Sequence, residues 1–178
     1  DPRHDVVDGG ARPRELVYSE RMSDCLSQIY TDASETLQIA ARAQHLCRWQ
    51  IPRAQYPMGR EGYHAWRTAC RNHHAELTSN IMRSHGYSEK DIQQVAKIIK
   101  KEQLKRDPES QALENIVGVV FAKYYLEDFV TKYHDYDEPK LINILRKTTR
   151  KMDADGHAEI AKLKLPAHLT KLISVAIG

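Results

Sequence analysis

Helical periodicity and helix-capping signals divide nearly the whole chain of 178 residues into helices. Over Leu16–Ile29, apolar residues recur at steps of three and four, which is typical of a helix with one buried face. Asp107 followed by Pro108 marks a helix start, because aspartate caps free N–H groups and proline fits the first helical turn. No stretch alternates convincingly as a strand would. The sequence therefore predicts an all-α fold.

About seven helices are expected, arranged as a compact helical bundle. The clearest lie over residues 16–29, 34–49 and 63–84, after Ser88, after Asp107 and within DEPKLINILRKTTRKM, with short pieces near the end. Prolines and glycines between residues 50 and 62 predict a structured loop. Residues 1–13 are polar and are expected to be a flexible segment, and residues 14–178 a single domain.

Composition excludes several classes of protein. No apolar run approaches the roughly 20 residues that span a bilayer, so no membrane association is expected. Three widely spaced cysteines suggest neither a disulfide framework nor a CxxC metal site, and reduced cytoplasm is the simplest compartment. The net charge of +3 is too small to indicate nucleic-acid binding by itself.

The charge is concentrated between residues 41 and 74, which hold six arginines and one acid, Glu61. Guanidinium groups match phosphate geometry through a planar fork of donors, and nearby aromatic rings offer surfaces for stacking. This pattern predicts a small phosphorylated or nucleotide ligand, with RNA as a less supported partner. The candidate ligand-binding residues are Arg42, Arg48, Trp49, Arg53, Tyr56, Arg60, Tyr63, Arg67 and Gln111.

A metal site is a further expectation. Helical spacing places His45 on one face with Arg42 and Trp49, and His74 on one face with Cys70. On the helix after Asp107, Gln111, Glu114 and Asn115 interrupt an otherwise apolar surface. Imidazole and carboxylate groups are usual ligands of first-row divalent ions, so His45, His74 and Glu114 are the candidate ligands. A lone helical histidine is, however, more often a surface or hydrogen-bonded core residue.

The strings QHLCRWQIPR and DPESQALE resemble domain-of-unknown-function family 4202, whose members are mostly bacterial and fungal. More distantly, the order His45, His74 and a later acid is similar to the HD phosphohydrolases, and this resemblance implies an all-α metal enzyme acting on phosphate esters. In that superfamily an aspartate follows the second histidine and another lies on a later helix. Here those positions read Ala75 and Asn115.

Three functions remain open. The first is an HD-like, metal-assisted phosphohydrolase with a divalent ion on His45, His74 and Glu114, in which Glu114 and Asp107 are the candidate catalytic carboxylates. Asp107 is equally well explained as a helix cap. The second is a non-catalytic module that binds a nucleotide or RNA through the same arginines and aromatics. The third is a helical scaffold protein whose arginines form interchain salt bridges.

Overall fold

The structure is a computed structural model that describes residues 1–178. It begins with a β-hairpin. Strands β1 (His4–Val7) and β2 (Gly10–Pro13) pair antiparallel. Asp8 and Gly9 both have positive φ, at 51° and 79°, as the favoured two-residue hairpin turn requires. Residues 1–13, which the sequence predicted to be a flexible segment, contain this hairpin. Its signal was the Asp-Gly pair, a strong short-range hairpin sequence.

The chain divides into two units, Asp1–Glu102 and Gln103–Gly178. The first contains the hairpin, two 3-10 turns and four helices, namely α1 (Arg14–Ile29), α2 (Glu35–Arg42), α3 (Arg60–Ser84) and α4 (Glu89–Lys100). Fully buried side chains at its centre include Met22, Leu26, Ile98 and Ile99. Ser34 and Ser88 cap α2 and α4 by accepting backbone N–H groups of Leu37 and Asp91, and Ser88 was predicted to do so.

The second unit consists of five helices, which are α5 (Pro108–Tyr124), α6 (Leu126–Lys132), α7 (Glu138–Thr149), α8 (Ala154–Ala161) and α9 (Ala167–Ile177). The predicted cap Asp107 accepts the backbone N–H of Ser110 at 2.7 Å. Nine α-helices replace the expected seven, because a break at Tyr125 separates α5 from α6 and both short C-terminal pieces are helical. The all-α fold class is confirmed, and the single domain over residues 14–178 stays a prediction.

Helix α2 is the main departure from the sequence prediction. It ends at Arg42 instead of continuing to Trp49. His45 and Cys47 adopt left-handed backbone conformations, with φ of 67° and 52°, which a continuing helix does not allow. Arg42, His45 and Trp49 therefore do not share a helix face.

None of the helices is both long and apolar enough to cross a lipid bilayer.

Candidate functional site

The segment between α2 and the first 3-10 turn, residues 43–47, carries the centre of the site. Left-handed conformations of residues other than glycine cost on the order of 1–3 kcal/mol each and persist only where surrounding contacts hold them. Two such residues, His45 and Cys47, lie within three positions here. The contacts of His45 with α1 explain how its conformation is held.

His45 is fixed from two directions by α1. Its ring stacks on Tyr18 with 3.9 Å between ring centroids and 12° between planes. Its Nδ1 donates to the Glu15 carboxylate at 3.0 Å, and that carboxylate also accepts from Arg3 at 2.5 Å. Glu15 is only 7% exposed, so this hydrogen-bonded pair lies in a low-dielectric environment. Orientation of an imidazole by a carboxylate fixes which ring nitrogen carries the proton.

His74, on α3, lies beside His45, with 6.2 Å between ring centroids. Its Nδ1 donates to the backbone carbonyl of Leu46 at 2.8 Å. In the neutral state both rings therefore hold their proton on Nδ1 and their lone pair on Nε2. The His45 lone pair receives a hydrogen bond from the Arg48 guanidinium.

Arg48 is packed among uncharged groups. Its guanidinium lies over the Trp66 ring at 4.7 Å, and Trp66 is anchored by a 2.8 Å hydrogen bond from its indole N–H to the carbonyl of Ile51. The charge of Arg48 also acts on the thiol of Cys70. No carboxylate forms an ion pair with Arg48. We call Glu15, Tyr18, His45, Arg48, Trp66, Cys70 and His74 the His–Arg cluster.

The environment of the His–Arg cluster keeps its two histidines and its thiol uncharged. Burial lowers the pKa of His74 to about 4, and the Arg48 charge acts in the same direction. Burial and then Arg48 lower the pKa of His45 well below its usual value, and burial raises the pKa of the Cys70 thiol. Near neutral pH the cluster therefore offers two neutral imidazoles and a thiol around one guanidinium.

The predicted ligand-binding arginines are not brought together. Arg53 donates to the carbonyls of Tyr56 and Pro57 at 2.8 and 2.9 Å and so holds the loop in shape. Arg60 is exposed and contacts His64. Arg67 lies over the Tyr63 ring at 5.9 Å and contributes its charge at His45 and Cys70. Of these arginines, only Arg48 contacts one of the two histidines, and Arg67 acts on His45 through its charge.

Three further predicted site residues, Gln111, Glu114 and Asp107, lie in the second unit. Gln111 donates to the Asn115 side chain and to the carbonyl of Lys151, at 3.1 and 3.0 Å. Asn115 in turn donates to Asp153, the cap of α8, at 2.8 Å. The polar face of α5 thus packs against the start of α8. Glu114 is 5% exposed on α5, and Asp107 serves as the cap of that helix.

The residues do not fit the divalent metal that the distant HD resemblance implies. No group of three histidine, cysteine, aspartate or glutamate side chains is placed to hold an ion. Glu15 orients His45 through Nδ1, whereas the Nε2 of His45 is occupied by the Arg48 guanidinium. A cationic side chain thus lies where an ion on His45 would bind.

Glu15, Tyr18 and Cys70 were not among the predicted site residues. Glu15 did have a sequence signal, since it falls in register with the buried stripe of α1, which includes Tyr18, Met22 and Cys25. A carboxylate on the apolar face of an amphipathic helix needs a partner, and this one lies 30 residues further along the chain. Spacing alone does not reveal that partner.

A separate cavity of about 1080 Å³ lies between α1, α2 and the C-terminal half of α3. We call it the α1–α2 groove. Trp49, Arg42 and Glu15 line it, whereas His45, His74, Arg48 and Arg67 do not. Residues 43–49 therefore contribute to both sites: Leu46 and Cys47 line the groove, and His45 and Arg48 belong to the cluster.

Comparison with known proteins gives a family and no function. No curated protein and no solved structure matches the chain. A family model described as a domain of unknown function, DUF4202, matches residues 1–173. Because this match covers nearly all of the 178 residues, the chain belongs to the DUF4202 family.

Proposed function

We propose that this chain binds a small phosphorylated ligand through Arg48 in the His–Arg cluster. The observation that carries the proposal is that Arg48 is half-buried among neutral groups, without a carboxylate partner. A partly desolvated cation lacks the counter-charge that would stabilise it, and a bound anion supplies one.

Arg48 is also positioned to donate two hydrogen bonds to the oxygens of a phosphate group. A guanidinium has five N–H donors, so its hydrogen bonding to His45 leaves others for a ligand. Trp66 and His45 restrict its rotation, which lowers the entropy lost on binding. Arg67 adds positive potential at the same place. The aromatic ring of Tyr63 beside Arg67 offers a stacking surface for an organic group.

The test is to titrate the full chain with phenyl phosphate, inorganic phosphate and benzoate and to measure each affinity by isothermal titration calorimetry. Phenyl phosphate should bind one-to-one and more tightly than benzoate. Arg48→Met should weaken binding by about ten- to a hundredfold, because charge-assisted hydrogen bonds contribute roughly 1.5–3 kcal/mol. Arg71→Met is the matched control, since Arg71 lies on α3 and bonds only Thr68. Equal affinity in the parent and Arg48→Met proteins would refute the proposal.

RNA binding is the second candidate for the same arginines, and its salt dependence separates it from a pocket ligand. An RNA complex should weaken steeply with salt and involve exposed arginines such as Arg60, since each neutralised phosphate releases counterions. Metal-assisted hydrolysis stays a prediction, for which elemental analysis of untagged protein and of His45→Ala and His74→Ala is the measurement. Stoichiometric metal lost in both variants would support it.

A further inference from the structure

The α1–α2 groove has the size of a small-molecule site and is separate from the proposed phosphate site. Its volume of about 1080 Å³ is slightly above the range of roughly 300–1,000 Å³ found for ligand pockets. Leu26 and Met82 form buried parts of its wall, while Leu16 and Ile81 lie 41% and 51% exposed along it. Exposed large apolar side chains around one cavity indicate a surface that an apolar ligand would cover.

The wall contributed by α1 suits an apolar ligand although it carries three serines. Ser19, Ser23 and Ser27 recur at steps of four and all line the groove. Each donates its hydroxyl to a carbonyl of its own helix, at 2.8, 3.1 and 2.9 Å. These short side chains therefore leave room without presenting free donors to the cavity.

Four acids line the groove, and two of them are unpaired. Asp1 and Glu15 form ion pairs with Arg3, whereas Asp24 and Glu35 form none, and Glu35 only accepts a hydrogen bond from the Tyr87 hydroxyl at 2.7 Å. The C-terminal ends of α1 and α3 also line the groove, through Tyr30 and His85, and helix C-termini carry partial negative charge, so the end near Glu35 is negative. Arg42 lies at the other end of α2, about 10 Å from Glu35 along the helix axis.

We propose that the α1–α2 groove binds an amphipathic amine, whose apolar body lies along Leu16, Leu26, Ile39 and Ile81 and whose protonated nitrogen lies between Asp24 and Glu35. The negative end selects a cation, and the apolar wall selects a body without hydrogen-bonding groups. A helical peptide is less well matched, because only Leu16 and Ile81 protrude as large exposed apolar groups where a docked helix needs a longer row of anchors.

The experiment is to titrate the full chain with decylamine, decanol and decanoate. Two-dimensional NMR of the backbone amides monitors each titration and gives the affinity. Decylamine should bind most tightly and shift resonances of α1 and α2. Asp24→Asn with Glu35→Gln should weaken decylamine binding about three- to tenfold and leave decanol unchanged, because only the amine loses a charge interaction. Asp32→Asn is the control, since Asp32 is an exposed acid outside the lining.

A second pair of variants tests the location. Ser23→Trp places a large ring in the groove and should abolish decylamine binding, whereas Gln28→Trp on the same helix, outside the lining, should not change it. Decanoate binding as tightly as decylamine, or unchanged affinity in Ser23→Trp, would overturn the proposal. So would a basic amphipathic peptide that occupies the groove when decylamine does not. Arg48→Met should leave decylamine binding intact, so the two proposed sites can fail separately.

Discussion

The His–Arg cluster and the α1–α2 groove are built from the same short segment but have opposite chemistry. The cluster surrounds one guanidinium with neutral rings and a thiol, and the groove is an apolar cavity in which two carboxylates, Asp24 and Glu35, form no ion pair. Glu15 belongs to both, since it lines the groove and orients His45. Because residues 43–47 turn instead of continuing α2, neighbouring side chains reach different sites.

The largest expected effect comes from removing the shared carboxylate. Glu15→Ala should lower the free energy of unfolding by about 3–5 kcal/mol, because two hydrogen bonds to the buried carboxylate, from His45 and Arg3, are lost and the Nδ1–H of His45 is left without an acceptor. It should also weaken phenyl phosphate binding, since His45 loses the contact that orients it. Urea denaturation measures the first effect and calorimetry the second.

Glu20→Ala is the matched control for Glu15→Ala. Glu20 lies on the same helix and pairs with Arg12 at 2.9 Å, but the two side chains are 32% and 42% exposed. Its loss should cost less than about 1 kcal/mol. Equal destabilisation by the two variants would show that the cluster does not depend on Glu15.

Acid should destabilise the His–Arg cluster. The pKa of His74, about 4, lies below the value of 6.5 for an unfolded histidine, so the unfolded chain binds more protons between these values. The stability from neutral His74 is therefore complete above pH 6.5 and is lost as the pH falls toward 4. It amounts to on the order of 3 kcal/mol. The lowered pKa of His45 acts in the same direction.

The measurement is the free energy of unfolding in urea at a series of pH values from 7 down to about 4. His74→Gln should reduce the dependence over this window, with His45 left to contribute the rest, and His4→Gln, at an exposed position in the hairpin, should not change it. A parent protein of constant stability across the window would contradict the neutral state of His74.

A smaller effect is expected from the cap of α2, the helix that forms one wall of the groove. Ser34→Ala removes the side chain that accepts the N–H of Leu37 at 3.1 Å, and should cost about 1 kcal/mol. Thermal unfolding followed by circular dichroism measures this loss. Ser34→Asp, which keeps a capping oxygen, should restore the stability; failure to restore it would assign the loss to another cause.

The sequence made some residues of the His–Arg cluster predictable, but not how they are arranged. The density of arginine and the two histidines drew attention to the segment that carries the His–Arg cluster, and His45 and His74 do lie side by side. The assumption that Arg42, His45 and Trp49 share a helix face was wrong, because it extended α2 through residues that are left-handed. The role of Arg53 was also not visible, since its donors hold carbonyls of its own loop.

The sequence by itself determined those helix starts and turns that are held by contacts between residues close together in the chain. The caps Ser88 and Asp107, and the Asp-Gly turn of the hairpin, depend on side chains within three residues of the backbone they hold. Only the tertiary structure decided where α2 ends and what Arg48 contacts. Stacking on Tyr18 and the bond to Glu15 hold His45 in a conformation that its own sequence does not favour, because these contacts come from a helix 30 residues away.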